Sequence, residues 1–153
     1  MKRQEAKLSP DLVGISGEYF VAAELSRQGL IAAITLRNTR GTDILVSRPG
    51  GKKAATVQVK ANQKGRKKWL LNKSDEIPKG DNHYYVFVAL NGHKGRPEYH
   101  VVEGKYVAER CRVEHQEWLK REKRGGGKHK DTSIRVFRPG DDFRDGWDRI
   151  RLD

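Results

Sequence analysis

The sequence predicts an α/β fold, a sheet of about five strands flanked by helices, and three observations carry that reading. Residues 10–28 place apolar side chains at three- and four-residue intervals, the period of a helix with one buried side. Several later stretches alternate or run apolar between clusters of Gly, Pro and Asn, which is the pattern of strands and turns. A chain of 153 residues normally makes one domain around one core.

Ser9-Pro10 opens the first helix, since serine can cap it and proline at its first turn gives up no needed N–H. Leu12, Ile15, Tyr19, Ala22 and Leu25 are its expected buried face, and Gly29 ends it. Glu18 lies three after Ile15 and four before Ala22, so its carboxylate is on or beside that face, where a charge needs a partner. Strands are expected at 31–36, 42–47 and 55–61, the last two joined as a hairpin by Arg48-Pro49-Gly50-Gly51-Lys52. With a period of two, Gln58 and Lys60 share one face of their strand, and Val57 and Val59 share the other.

Residues 62–82 read as a basic excursion with few apolar positions beyond Trp69-Leu70-Leu71. A buried strand over 83–90 and another around 98–102, separated by Asn91-Gly92, make a second hairpin. A helix is expected over 105–124. The glycine-interrupted basic stretch from Lys120 to Arg138 reads as mobile and ends in a short strand at 133–137. Phe143, Trp147 and Ile150 have helical spacing and are expected to dock the C-terminus onto the core. The chain is thus one domain, 1–153, with a core at about 10–103 and a helical, basic extension at about 104–153.

Charge points to a polyanionic partner. Lys and Arg number 32 against 20 Asp and Glu, a formal +12, and such an excess favours phosphate contacts and counterion release. Residues 52–79 hold nine of these cations against Asp75 and Glu76. Within them Lys64-Gly65-Arg66-Lys67-Lys68-Trp69 combines phosphate-binding charge with an aromatic able to stack on a base, and Lys52 and Lys53 add to the same expected nucleic-acid surface. A solvated loop with Trp69 buried is the alternative. The single cysteine, Cys111, excludes an internal disulfide framework and fits a reducing cytosol. The charged start, Met1 to Lys7, is followed by no signal-peptide block, and no apolar run nears membrane-spanning length. The expectation is a cytoplasmic protein without a membrane partner.

In chain order, Gly17-Glu18 on a helix, Gly41-Thr42-Asp43 at a strand and Val57-Gln58-Val59-Lys60 on the next strand resemble the PD-(D/E)XK nuclease superfamily over residues 10–90, in the style of its Holliday-junction-resolvase-like and Mrr-like members with a Gln-x-Lys motif. The resemblance implies a restriction-endonuclease-like mixed sheet and a metal-dependent endonuclease acting on nucleic acid, DNA rather than RNA. It implies Glu18, Asp43, Gln58 and Lys60 as catalytic residues. Mg²⁺, with Mn²⁺ as a substitute, would be held by Glu18, Asp43, the Gln58 side-chain carbonyl and the Val59 backbone carbonyl, oxygen donors of the kind Mg²⁺ prefers. Lys60 would orient the attacking water and neutralise developing charge. A homodimer is compatible with cutting both strands of a duplex.

Most members carry a carboxylate where this chain has Gln58, and an amide adds no negative charge, so weaker metal binding is expected. Each residue also has an ordinary alternative: Glu18 paired with Arg37 or Arg40, Asp43 capping a turn, Gln58 and Lys60 as the wet face of a strand. The corresponding alternative function is a catalytically inactive nuclease-fold protein that binds nucleic acid. A basic ribonucleoprotein component is a third reading. Cys111 and His115, at i and i+4, suit a metal pair but lack a second pair.

Overall fold

The computed structural model describes residues 5–36 and 40–153. The chain is α/β. A five-stranded mixed sheet has the order β1-β2-β3-β5-β6, built from β1 (Ile31–Ile34), β2 (Ile44–Ser47), β3 (Ala54–Asn62), β5 (His83–Ala89) and β6 (Glu98–Glu103). A separate two-stranded sheet pairs β4 (Trp69–Asn72) with β7 (Ile134–Phe137). Helix α1 (Pro10–Arg27) packs on one face of the large sheet, and α2 (Gly104–Lys120) with the small sheet packs on the other.

Helix α1 begins where expected: the Ser9 hydroxyl accepts the Leu12 N–H at 3.3 Å, Pro10 occupies the first turn, and Gly29 follows the end at φ +83°. Its buried stripe differs from the expected one. Gly17, Val21 and Leu25 face the sheet, whereas Leu12 and Tyr19 are 52% and 65% exposed. Gly17 explains the rotation, because a Cβ there would lie 2.7 Å from the Ala61 Cβ and 3.3 Å from Val59. The helix backbone rests directly on β3 at a residue that has no side chain, and the stripe at four-residue spacing follows from that contact.

The β2–β3 hairpin is antiparallel with Ile44 opposite Val57, and β3 runs parallel to β5 with Thr56 opposite His83 and Asn62 opposite Ala89. A parallel pair needs a crossover, usually a helix. Here residues 63–82 supply it with β4 and a 3₁₀ turn, Lys73–Glu76, so the expected irregular excursion is ordered by a strand pairing from the far end of the chain.

Strand β5 is buried along its whole length. Tyr84, Val86 and Val88 face the α1 side with Ile44, Val46, Val57 and Leu25, while Tyr85 and Phe87 face the α2 side with Trp69, Leu71, Val107 and Phe137. The C-terminal segment docks as expected but as two 3₁₀ turns. Trp147, Ile150 and Leu152 join the α1-side core, and the Arg151 N–H donates to the Tyr84 hydroxyl at 3.1 Å. Helix α2 ends at Lys120, four residues short of the expected boundary. Among the described residues no helix is long and apolar enough to cross a membrane.

Candidate functional site

Strand β2 starts at Ile44, and β3 continues past the last residue it pairs there, Val57. Beyond that point the Val59 N–H has no strand partner on the β2 side and turns to the Asp43 carboxylate, donating to Oδ2 at 2.7 Å. The carbonyl of one residue points to the same edge of an extended strand as its N–H, so the Val59 carbonyl faces the same space. Thr35, just after β1, donates its N–H to the Asp43 carbonyl at 2.9 Å and its hydroxyl to the Thr42 carbonyl at 2.7 Å, which fixes the Thr42-Asp43 backbone.

Asp43, Thr35 and Glu18 line one open cleft of about 390 Å³, closed on its helix side by Pro10, Gly14 and Ile15. Glu18 reaches it because it follows Gly17, the contact residue, and lies on the flank of the buried stripe. The structure therefore brings Glu18 and Asp43 to one cavity. Arg37, one of its alternative partners, lies outside the described residues.

Burial raises the Asp43 carboxyl above its ordinary value, against the opposing pull of the Val59 N–H, Lys60 and Lys79. A half-buried carboxylate held high by desolvation is one that a nearby cation stabilises. Lys60 lies close enough to Asp43 and Asp75 to act on both charges.

Gln58 is turned differently from the expected metal ligand. Its Oε1 accepts from the Lys79 ammonium at 2.6 Å. Lys79 also donates to Asp75 Oδ1 and to the Tyr85 hydroxyl, each at 3.3 Å, and its ammonium sits 5.4 Å from the Tyr85 ring centroid. The Tyr85 hydroxyl donates to Asp75 Oδ1 at 2.6 Å, and the Asn72 N–H donates to Asp75 Oδ2 at 2.8 Å. Burial of Asp75 works to raise its carboxyl, but Tyr85, Asn72, Lys60 and Lys79 outweigh it and hold the group below the ordinary carboxylate range. Gly41 belongs to this arrangement: it has φ +71°, and a Cβ there would meet the Lys79 ammonium at 2.7 Å.

Lys79, Asp75 and Tyr85 escaped the sequence reading. Lys79 stood among eight other cations between residues 52 and 79, and Tyr85 inside an apolar run. The only local signal was Asn72-x-x-Asp75, a capping pattern, with Lys79 four residues further on.

Among the described residues, no group of three or more His, Cys, Asp or Glu side chains is gathered closely enough to hold a metal. The oxygens that could hold a hard cation here are Asp43, Glu18 and the Val59 carbonyl, with water completing the set, a mixture that suits Mg²⁺.

The expected nucleic-acid residues separate into two places. Lys52 and Lys53 sit in the β2–β3 turn, where Lys53 contacts the Asp153 carbonyl. Lys64, Arg66, Lys67 and Lys68 lie exposed after the opposite end of β3, with Lys67 3.5 Å from Asp141. Trp69 does not join them. It is 3% exposed, donates its indole N–H to the Val88 carbonyl at 3.2 Å and packs against Phe87, so it is a core residue with no face for a base. Cys111 is buried, its thiol pushed up to about 12 by desolvation, and His115 pairs with Asp131 at 2.7 Å instead of with Cys111.

Comparison of the chain with protein-family models, with curated proteins and with solved structures finds no match in any of the three.

Proposed function

We propose that the chain is a metal-dependent endonuclease of the PD-(D/E)XK type, hydrolysing phosphodiester bonds in DNA. The observation that carries this reading is the Asp43 carboxylate, fixed by the Val59 N–H at 2.7 Å on a cleft it shares with Glu18, with Lys60 acting on its charge. A half-buried carboxylate beside a lysine, at the start of β2 on an open cleft in a chain of +12, suits a site that gathers a cation and a phosphodiester together.

Asp43, Glu18 and the Val59 carbonyl would hold Mg²⁺ or Mn²⁺, which when bound supplies Lewis acidity toward a phosphoryl oxygen and lowers the pKa of a coordinated water. Asp43 is kept in place by the backbone of β3, so its oxygens need little reorganisation. Lys60, on the face of β3 that it shares with Gln58, neutralises charge developing on the phosphate as the water oxygen bonds to phosphorus and the ester oxygen leaves. The exposed Lys64, Arg66, Lys67 and Lys68 beyond the end of β3 hold the backbone of the nucleic acid.

One observation favours a second reading, a nucleic-acid-binding protein that keeps the fold without turnover. Gln58 brings no charge, and its oxygen is engaged by Lys79. Cleavage assays with Mg²⁺ and Mn²⁺, run beside binding assays, separate the two. The endonuclease predicts metal-dependent cleavage that Asp43→Ala and Lys60→Ala abolish while binding persists. Binding with no cleavage in either metal establishes the second reading.

A further inference from the structure

We propose that Gln58 serves this site as a hydrogen-bond donor to a phosphate oxygen, with Lys79 as the positioning residue that sets its orientation, and that it is not a metal ligand. The inference rests on the nucleic-acid reading above and assigns Gln58 a role within it.

Lys79 decides which way the amide faces. An ammonium has three donors and no acceptor, so the Gln58 atom 2.6 Å from Lys79 Nζ is the carbonyl oxygen. The amide nitrogen, with two N–H groups, is therefore the end turned away from Lys79, and among the described residues it has no hydrogen-bond partner. Gln58 is only half-buried, so a ligand can reach it. Such an end recognises an acceptor. A divalent cation on the oxygen would instead have to share it with an ammonium, at a cost that grows in a partly desolvated site.

The orientation is held from below. Lys79 is tied to Asp75 and to the Tyr85 hydroxyl, and Tyr85 in turn donates to Asp75. Asp75 is 3% exposed and also accepts the Asn72 N–H, so it is fixed to the backbone at the start of the 3₁₀ turn. Gly41, with no side chain, leaves the space that the Lys79 ammonium fills. The donors of Lys79 are spent on Gln58, Asp75 and Tyr85, which makes it an orienting group and leaves the N–H groups of Gln58 to meet the phosphate. In a chain whose charge recruits a polyanion, and on the strand face that carries Lys60, a phosphate oxygen is the acceptor that fits.

The test uses the full chain. Affinity for a labelled DNA duplex is measured in EDTA, and Mn²⁺ affinity is measured on the protein alone, for wild type, Gln58→Ala, Lys79→Met, Lys79→Arg and the Gln58→Ala/Lys79→Met double variant. Gln58→Ala is expected to weaken DNA binding about tenfold, the loss of one charge-assisted hydrogen bond, and to leave Mn²⁺ affinity unchanged. Lys79→Met should weaken DNA binding to the same extent without adding to Gln58→Ala in the double variant, and Lys79→Arg should restore most of it. Gln58→Ala changes a half-buried side chain and keeps the test decisive even where Lys79→Met disturbs folding around Asp75. The inference is overturned when Gln58→Ala binds DNA like wild type or loses Mn²⁺ affinity, outcomes that leave the nucleic-acid reading standing. Wild-type protein that binds no DNA removes that reading and the inference with it.

Discussion

Two carboxylates, Asp43 and Asp75, stand near the same pair of lysines and are pushed in opposite directions. Asp43 has one backbone N–H and a dry setting that raises its carboxyl. Asp75 has two hydrogen-bond donors besides Lys79, and together they hold it low. The first is suited to gathering a cation, the second to holding one already present. Asp75→Ala leaves the Tyr85 hydroxyl and Lys79 without their acceptor and should destabilise the fold by about 2–3 kcal/mol, read as a shift of the urea midpoint. An unchanged midpoint contradicts a structural role for Asp75. His83, buried beside this cluster with Nδ1 2.7 Å from the Thr56 hydroxyl, is lowered to about 4 by desolvation first and Lys79 second. The unfolded chain takes up that proton near 6.5 and the folded chain does not until about 4, so stability is full above 6.5 and falls as pH drops across that window, by up to about 1.4 kcal/mol per unit. Denaturant titrations between pH 7 and 4.5 should show this slope in wild type and a flatter one in His83→Gln. Equal slopes would contradict it. At this scale the sequence pointed to Asp43 and Lys60 because their order, with Gln58-x-Lys60 on the next strand, resembles a known family's motif, and a strand's period of two placed Gln58 and Lys60 on one face. Asp75, Lys79 and Tyr85 were not readable, since their meeting depends on a crossover that brings residues 72–79 back beside β5.

Contact between α1 and β3 sets where Glu18 stands. Gly17→Ala forces a Cβ against Ala61 at 2.7 Å, and the overpacking should cost about 1–3 kcal/mol despite the better helix propensity of alanine. Denaturation midpoints check it, and a variant as stable as wild type would mean that the helix can lift off the sheet at no cost. The five central strands were legible because each is bounded by turn residues and carries its own apolar pattern. Two features were not. The buried stripe of α1 begins at a glycine, which no hydrophobic pattern marks. Strand β4 is short, and the edge it pairs with, β7, lies at Ile134–Phe137, far along the chain. That distant pairing also buries Trp69, whose position beside a basic run had suggested a surface role.

Among the described residues, the cations expected to bind nucleic acid lie in two places. Lys52 and Lys53 lie at one end of β3, and Lys64 to Lys68 lie beyond the other, with Gln58 and Lys60 between them on the strand. A nucleic acid that reaches Asp43 from the Lys64 end meets that cluster of cations without needing the hairpin turn. Changing Lys64, Lys67 and Lys68 together to Gln should lower the salt dependence of DNA binding by up to about 0.9 in the log–log slope for each phosphate no longer neutralised. The same change at Lys52 and Lys53 should leave it near the wild-type value. Equal effects from the two sets would contradict this placement.

The most direct measurement is a structure from crystals soaked in Mn²⁺. An anomalous peak is expected about 2.1 Å from an Asp43 oxygen, reached also by Glu18 or the Val59 carbonyl. Full Mn²⁺ occupancy elsewhere, with none at Asp43, would contradict it.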